Sequence, residues 1–358
     1  MGLAARLAVA LFCVAILAAC LGGAPSQAAK KQATASAVST PPSASSPEPT
    51  LPSVTPGAVA GPSACAGQLV TDAAGLKQAL AAAIPGTVIA LAPGIYPGRF
   101  VASVSGTASE PITLCGGRDA IIDGGAIKSG YAFHVSGASW WNLVGFAVRG
   151  GQKGVVTDHA SHVLISGLYV HDVGDEAIHL RAMSTDNTVE GVTVRNTGLH
   201  NAKFGEGIYV GSANSNWCLY TACGPDTSDR NVIRNCDISQ TTAENIDIKE
   251  GTTGGMVVGN RLSGEGMIAS AATAWLNAKG NQWTITDNAG RLSLKDGFQV
   301  HQVAAGWGVA NIFRGNHAEV DGPGYGFYVQ RVSLATTLGC DNTAVGAALG
   351  LSNTRCTT

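Results

Sequence analysis

The chain has 358 residues with 22 Lys and Arg against 24 Asp and Glu, a net charge of -2, which excludes a generally basic nucleic-acid binder. Only 13% of residues are charged while 47 are Gly, a balance suited to tight turns and stacked backbone rather than to a helical bundle rich in Leu, Glu and Lys. Hydrophobic residues make up 45%, so the chain as a whole is not a disordered one.

Residues 1–20 read as an export signal: Arg6, then an apolar run from Leu7 to Ala19, too short for a comfortable membrane span. The run ends Leu17-Ala18-Ala19-Cys20, which resembles the bacterial lipobox and implies lipidation of Cys20. Cleavage near Ala28, which would discard Cys20, is the alternative, and an uncleaved anchor is the third. All three place the remainder outside the cytoplasm, as a secreted or surface-anchored protein that meets the membrane only through a lipid anchor. Residues 21–63 are rich in Ala, Ser, Pro and Thr with no hydrophobic period, and read as a linker partly stiffened by Pro. Seven Cys follow Cys20. Their spacing pairs Cys218 with Cys223 and Cys340 with Cys356, offers Cys65 with Cys115, and leaves Cys236 free.

Residues 64–358 form the third and largest segment. Asp72 to Ala83 reads as an amphipathic helix with Asp72 as N-cap, placed to cover an open first coil. Then come short look-alike segments beginning at Tyr131, Lys153, Glu176, Glu206, Glu244, Ala274, Asp296 and Tyr325, spaced by 22, 23, 30, 38, 30, 22 and 29 residues. Their third and fifth positions are apolar, as in Ile178 and Leu180 or Ile246 and Ile248, which is the period-two pattern of a strand with one buried face. Each is followed by a second short apolar strand ending near Gly or Asn. Asn260, Asn288 and Asn316 fall at equivalent places and can form an amide ladder, with Cys236 in the same column one coil earlier. A minimal unit of about 22 residues, no intervening helices and variable insertions predict an all-β fold, a parallel β-helix with a short N-terminal capping helix.

The opening PGTVIALAPGIYPG followed by PITLCGGRDAIIDG resembles secreted right-handed parallel β-helix proteins of the pectate-lyase-like superfamily. That scaffold carries several activities and some plain binding proteins, so the activity has to be argued from residues.

Stacking turns sequence distance into columns. One column reads Arg181, Gly211, Lys249, Lys279, His301; its neighbour reads His179, Tyr209, Asp247, Asn277, Gln299; Glu176, Glu206 and Glu244 line the edge. The largest insertion carries Trp217 and Tyr220 at a small disulfide loop, placed to stack on a sugar face. Such a titratable strip suits the β-elimination of a uronic-acid polymer, in which a base removes the proton beside a neutralised carboxylate and an acid protonates the leaving oxygen. The segment Glu244-Asn245-Ile246-Asp247-Ile248-Lys249 resembles a motif of the chondroitinase B and alginate lyase family. The resemblance implies Glu244 as a Ca²⁺ ligand and Lys249 as the base. The motif's second Glu is Thr242 here, so Glu206 and Asp247 are the candidates to complete a Ca²⁺ site. Lys279 stands where that family has an Arg. On this reading Lys249, Lys279, His301 and Arg181 are catalytic, with Lys279 and Arg181 holding the substrate carboxylate or stabilising the enolate-like intermediate, their charge also lowering the Lys249 pKa, and His301 protonating the leaving group. His179, Tyr209, Trp217, Asn277 and Gln299 bind an acidic polysaccharide, and the protein acts as a monomer. The rivals are a glycoside hydrolase using Asp247 with Glu244 or Asp296, a C5-epimerase, and a non-catalytic glycan-binding module.

Overall fold

The computed structural model describes residues 65–358. The signal segment, Cys20 and the linker lie outside the described residues. The described part is a parallel β-helix of three long sheets with eleven, nine and ten strands, in which every pairing between strands is parallel. Among the described residues no helix is long and apolar enough to cross a membrane.

The nine-stranded sheet carries the candidate site. Its strands are β1 (Phe100–Ala102), β2 (Tyr131–Ser136), β3 (Lys153–Asp158), β4 (Ile178–Arg181), β5 (Ile208–Val210), β6 (Ile246–Ile248), β7 (Leu276–Ala278), β8 (Phe298–Val300) and β9 (Phe327–Val329). The register is the one the alternation predicts: His179 pairs Tyr209, Tyr209 pairs Asp247, Asp247 pairs Asn277, Asn277 pairs Gln299 and Gln299 pairs Tyr328. The alternate residues turn inward, and Ile208, Val210, Ile246, Ile248 and Leu276 are fully buried in one continuous core. Each such side chain contributes about 1.5–3 kcal/mol by leaving water. Toward the C-terminal coils the core becomes aromatic, with Phe298 stacked on Phe327 at 5.0 Å between ring centres.

Helix α1 (Ala73–Ala82) starts where the N-cap signal places it, with the Asp72 carboxylate accepting from Gly75 N at 2.8 Å. Its Leu76, Ala79 and Leu80 are buried in the same core cluster as the first coils. At the turns, the Asn ladder runs Asn260 to Asn288 to Asn316 to Asn342, each amide donating at 2.8–2.9 Å to the next side-chain oxygen. Asn342 extends the column one coil beyond the three positions read from the repeat. Asn260 Oδ1 also accepts from Cys236 N at 2.9 Å, which fixes Cys236 at the column's head. Disulfides join Cys65–Cys115, Cys218–Cys223 and Cys340–Cys356, while Cys236 is free and buried. Burial pushes the Cys236 thiol up to about 12, so it is a small apolar filler rather than a nucleophile.

Candidate active site

The outward side chains of β4 to β8 form a strip along the sheet, and its centre is a buried knot of acids and lysines. Asp247 on β6 is 2% exposed and receives the Lys279 ammonium on both oxygens, at 2.7 and 2.8 Å. The Lys249 ammonium approaches the same carboxylate at 3.3 Å. Two like charges expected to face one another across a coil are therefore bridged by an anion that the protein itself supplies. Burial works against the charge on Lys279, but Asp247 and Glu244 push its pKa above the ordinary range and keep it an ammonium. Burial likewise opposes ionisation of Asp247, yet Lys249 and Lys279 hold its carboxyl below the usual value.

Glu206 and Glu244, two residues before the paired stretches of β5 and β6, lie against this knot. Glu206 is 5% exposed, and its Oε2 has no hydrogen-bond partner among the described residues. Burial, with Glu176, Asp247 and Glu244 close by, drives its carboxyl well above the ordinary value. Glu244 is raised for the same reasons, burial first and Asp247 second, and accepts a long 3.4 Å contact from Asn277 Nδ2. Glu206, Glu244 and Asp247 can each offer an oxygen within 4.8 Å of the other two. Three carboxylates, one with an orphaned oxygen, are a donor set that suits a hard divalent cation. Lys279 competes for Asp247, so the knot has two ways to discharge itself: a proton on Glu206, or a cation.

Tyr209 on β5 stands beside the knot. The Lys249 ammonium lies 5.2 Å from the centre of its ring. Burial, then Asp247, Glu206 and Glu176, raise the phenol well above its ordinary value, which keeps it protonated. On its other side the ring meets the edge of His179 at 4.4 Å between centres. His179 Nε2 donates to Gly211 O at 2.9 Å, and Lys153 Nζ reaches Nδ1 at 3.4 Å. Burial, Lys153 and Arg181 hold that imidazole well below its usual pKa, so it is neutral. Lys153 is itself tied to Glu176.

The strip is closed toward β2. Arg181 forks onto Asp158 at 2.7 and 3.1 Å and donates to the Tyr131 hydroxyl at 2.7 Å. His134 meets the other side of Asp158 at 2.9 Å. Burial opposes it, but His134 and Arg181 hold the Asp158 carboxyl well below the usual range. Tyr220 covers the guanidinium at 4.2 Å. Arg181 is thus engaged inside the protein through Nε and Nη2, a use that the sequence-derived role on the substrate carboxylate did not include.

The insertion after β5 explains that cover. It contains a single helical turn, α2 (Trp217–Tyr220), closed by Cys218–Cys223. Asp226, fully buried, accepts from Ala182 N, Met183 N, Ser212 Oγ and Ser228 Oγ at 2.5–2.9 Å and pins the loop to the preceding coil. Trp217 Nε1 donates to Ser212 O at 3.1 Å. A Cβ on Gly251 would come within 3.3 Å of the indole, so the ring rests on the turn just after Lys249. Glu250, next to Lys249, is fully buried and accepts from Asn214 N at 2.7 Å. Asp226 and Glu250 were absent from the sequence-derived site, because an acid within an insertion or at a turn carries no periodic signal; Tyr131 and Lys153 head two of the repeat segments, but spacing does not show that they reach Arg181 and Glu176.

Toward β9 the strip changes character. His301 Nδ1 donates to Asn277 Oδ1 at 2.9 Å, and burial and Lys279 lower its pKa, which leaves a neutral ring with an accepting Nε2. Gln299 donates to Asp296 Oδ2 at 2.8 Å, and Asp296 Oδ1 accepts from Tyr325 N at 2.8 Å. Asp296 is fully buried, so it is not a free carboxylate for hydrolysis.

No family model matches this chain, and no curated protein matches it. Solved structures do. The alginate lyase from Paenibacillus sp. str. FPU-7 is 36% identical, with 80% of this chain and 97% of that chain covered and a TM-score of 0.73. Pectate lyase Pel9A is 15% identical over 78% of this chain and 72% of its own, with a TM-score of 0.53. A rhamnogalacturonan lyase is 12% identical over 82% of this chain and 90% of its own, with a TM-score of 0.54. The last two share the fold alone.

Proposed function

The chain belongs to the pectate-lyase-like superfamily of parallel β-helix polysaccharide lyases, and from that premise we propose that it cleaves a uronic-acid polymer of the alginate class by β-elimination. The observation that carries the reading is the Tyr209–Lys249 pair: a phenol kept protonated and an amine 5.2 Å from its ring, on adjacent coils above a buried acid knot.

Lys249 is the base that removes the proton beside the uronate carboxyl group. Tyr209 protonates the glycosidic oxygen as the bond to it breaks, leaving an unsaturated sugar on one product. The structure favours Tyr209 over His301 for this step, because the neutral His301 spends its only proton on Asn277. The substrate carboxylate must be neutralised as charge builds in the transition state. Lys279 supplies positive charge, and Glu206 in its protonated form supplies a donor. Where Ca²⁺ is bound, Glu206, Glu244 and Asp247 would hold it, and it would neutralise the same carboxylate. Arg181 serves as a positioning residue that fixes Asp158, Tyr131 and Tyr220. His179 orients the Tyr209 ring, while Asn277, Gln299 and Trp217 shape the walls. The fully engaged Asp296 and the lysine-bound Asp247 argue against a two-carboxylate hydrolase. The three disulfides suit an oxidising compartment, in keeping with export and a Cys20 anchor.

The test is a panel of uronic-acid polymers, with and without Ca²⁺ or chelator, followed by ultraviolet absorbance of the unsaturated product. Activity on an alginate-class polymer is expected, with Tyr209→Phe lowering kcat about 10²-fold or more. Epimerisation without chain scission would move the reading to a C5-epimerase, and binding without turnover would move it to a glycan-binding module. Glu206→Gln separates the two discharge routes. It keeps a donor but removes one of the three carboxylate charges that favour Ca²⁺, so a Ca²⁺-dependent rise in Tm seen in the wild type and weakened or lost in the variant assigns the cation.

A further inference from the structure

The strip does not end at His301. Tyr328 on β9 continues the column of Tyr209, Asp247, Asn277 and Gln299, three coils beyond Asp247. At about 4.8 Å per coil, that is about 14 Å along the sheet. The Tyr328 ring lies 5.9 Å from His301 and nearly parallel to Tyr325, at 24° with 6.4 Å between centres. Both rings are part-exposed, unlike the buried Phe298 and Phe327 behind them. The Lys295 ammonium sits 5.4 Å from the centre of the Tyr328 ring with its side chain 51% exposed. Its acidic neighbour is Asp296 at 3.6 Å, whose oxygens already accept from Gln299 and Tyr325. The ammonium therefore keeps donors for another anion.

Part-exposed aromatic faces beside an under-used ammonium form a surface for a unit that is flat and apolar on one side and anionic at its edge. A uronate sugar has that shape, with a face of C–H groups and one carboxylate. The platform is also continuous with the strip, so one polymer can cover both. Toward β2 the matching aromatics are spent: Tyr131 receives Arg181, and Tyr220 lies over the guanidinium.

We infer that Tyr325, Tyr328 and Lys295 form a distal subsite for a uronate unit, so that the bound polymer extends from Lys249 toward the C-terminal coils. This rests on the lyase reading of the strip. It predicts that affinity depends on oligomer length up to the reach of Tyr328 and is insensitive to further growth beyond it.

The experiment titrates alginate oligomers from dimer to hexamer into the Lys249→Ala variant by calorimetry. Affinity should step up at about the tetramer, the length that spans three coils. Adding Tyr328→Ala should remove the step and weaken hexamer binding about tenfold, with dimer binding unmoved. Tyr328→Phe, which keeps the ring, should restore the step, and thermal melts confirm that each variant is folded. Lys295→Ala should weaken the hexamer but not a carboxyl-reduced hexamer. An unchanged hexamer affinity in Lys249→Ala/Tyr328→Ala, or binding with no length dependence while Tyr328 is intact, overturns the subsite. If Lys249→Ala still cleaves the oligomers, the base assignment falls instead, and the subsite is then read from the rise in KM for the hexamer in Tyr328→Ala alone.

Discussion

The two halves of the strip are built from the same columns and solve opposite problems. Between β2 and β4 every charge has an internal partner: Asp158 with Arg181 and His134, Lys153 with Glu176. From the β5 coil to β9 the buried Asp247 is over-supplied with ammonium, Glu206 lacks a partner for one oxygen, and Lys295 and two Tyr rings face outward. A buried ion pair with all its donors spent adds rigidity and little reactivity, because each group's charge is already compensated. An unbalanced cluster holds its groups in states that a substrate can complete. The comparison assigns support to the first half and chemistry to the second, with Tyr209 at the boundary.

The strongest way to break this division is at Lys249. Lys249→Ala should lower kcat about 10³-fold, read from product absorbance, while circular dichroism and Tm stay near wild type. A variant that cuts at the normal rate would remove the chemistry from the second half. Arg181→Ala should act in the other direction. It leaves the part-buried Asp158 with His134 as its remaining partner and should cost up to about 3 kcal/mol in chemical denaturation. Any activity that remains per folded molecule should be far closer to wild type than that of Lys249→Ala. A kcat loss equal to that of Lys249→Ala with stability intact would instead place Arg181 on the substrate.

A smaller effect follows from His179, which belongs to the supporting half. Its pKa is lowered in the folded protein, burial being the main cause. The unfolded chain therefore binds this proton more readily, and stability present above the ordinary His value near 6.5 is lost as pH falls below it. Each unit of pH in that window costs up to about 1.4 kcal/mol from this group. His179→Gln, which can still donate to Gly211 O, should flatten the loss in urea titrations between about pH 6.5 and pH 5. An identical slope would show that the acid sensitivity lies elsewhere. The smallest effect is expected at His301, where His301→Ala should reduce kcat only a few-fold, since its proton is held by Asn277. A loss as large as that of Tyr209→Phe would transfer the acid role to His301.

What the sequence determined by itself was the coil and its columns. Period-two alternation decides which side chains turn inward, and parallel stacking then fixes which outward residues are neighbours, so the pairing of Tyr209 with Asp247 and Asp247 with Asn277 follows from spacing alone. The acid trio Glu206, Glu244 and Asp247 and the Asn ladder were legible for the same reason, while two of the disulfides followed from local cysteine spacing and Cys65–Cys115 was the pair left over for the first coil. Only the tertiary structure decided how the charges are shared. Asp247 lies between two lysines, Arg181 is given to Asp158, and Tyr220 folds back over Arg181 from a loop pinned by Asp226. Those partnerships depend on rotamers of long side chains and on the path of a non-repeating insertion. A column order says which residues are adjacent, but burial and distance decide which of several adjacent opposite charges each one takes.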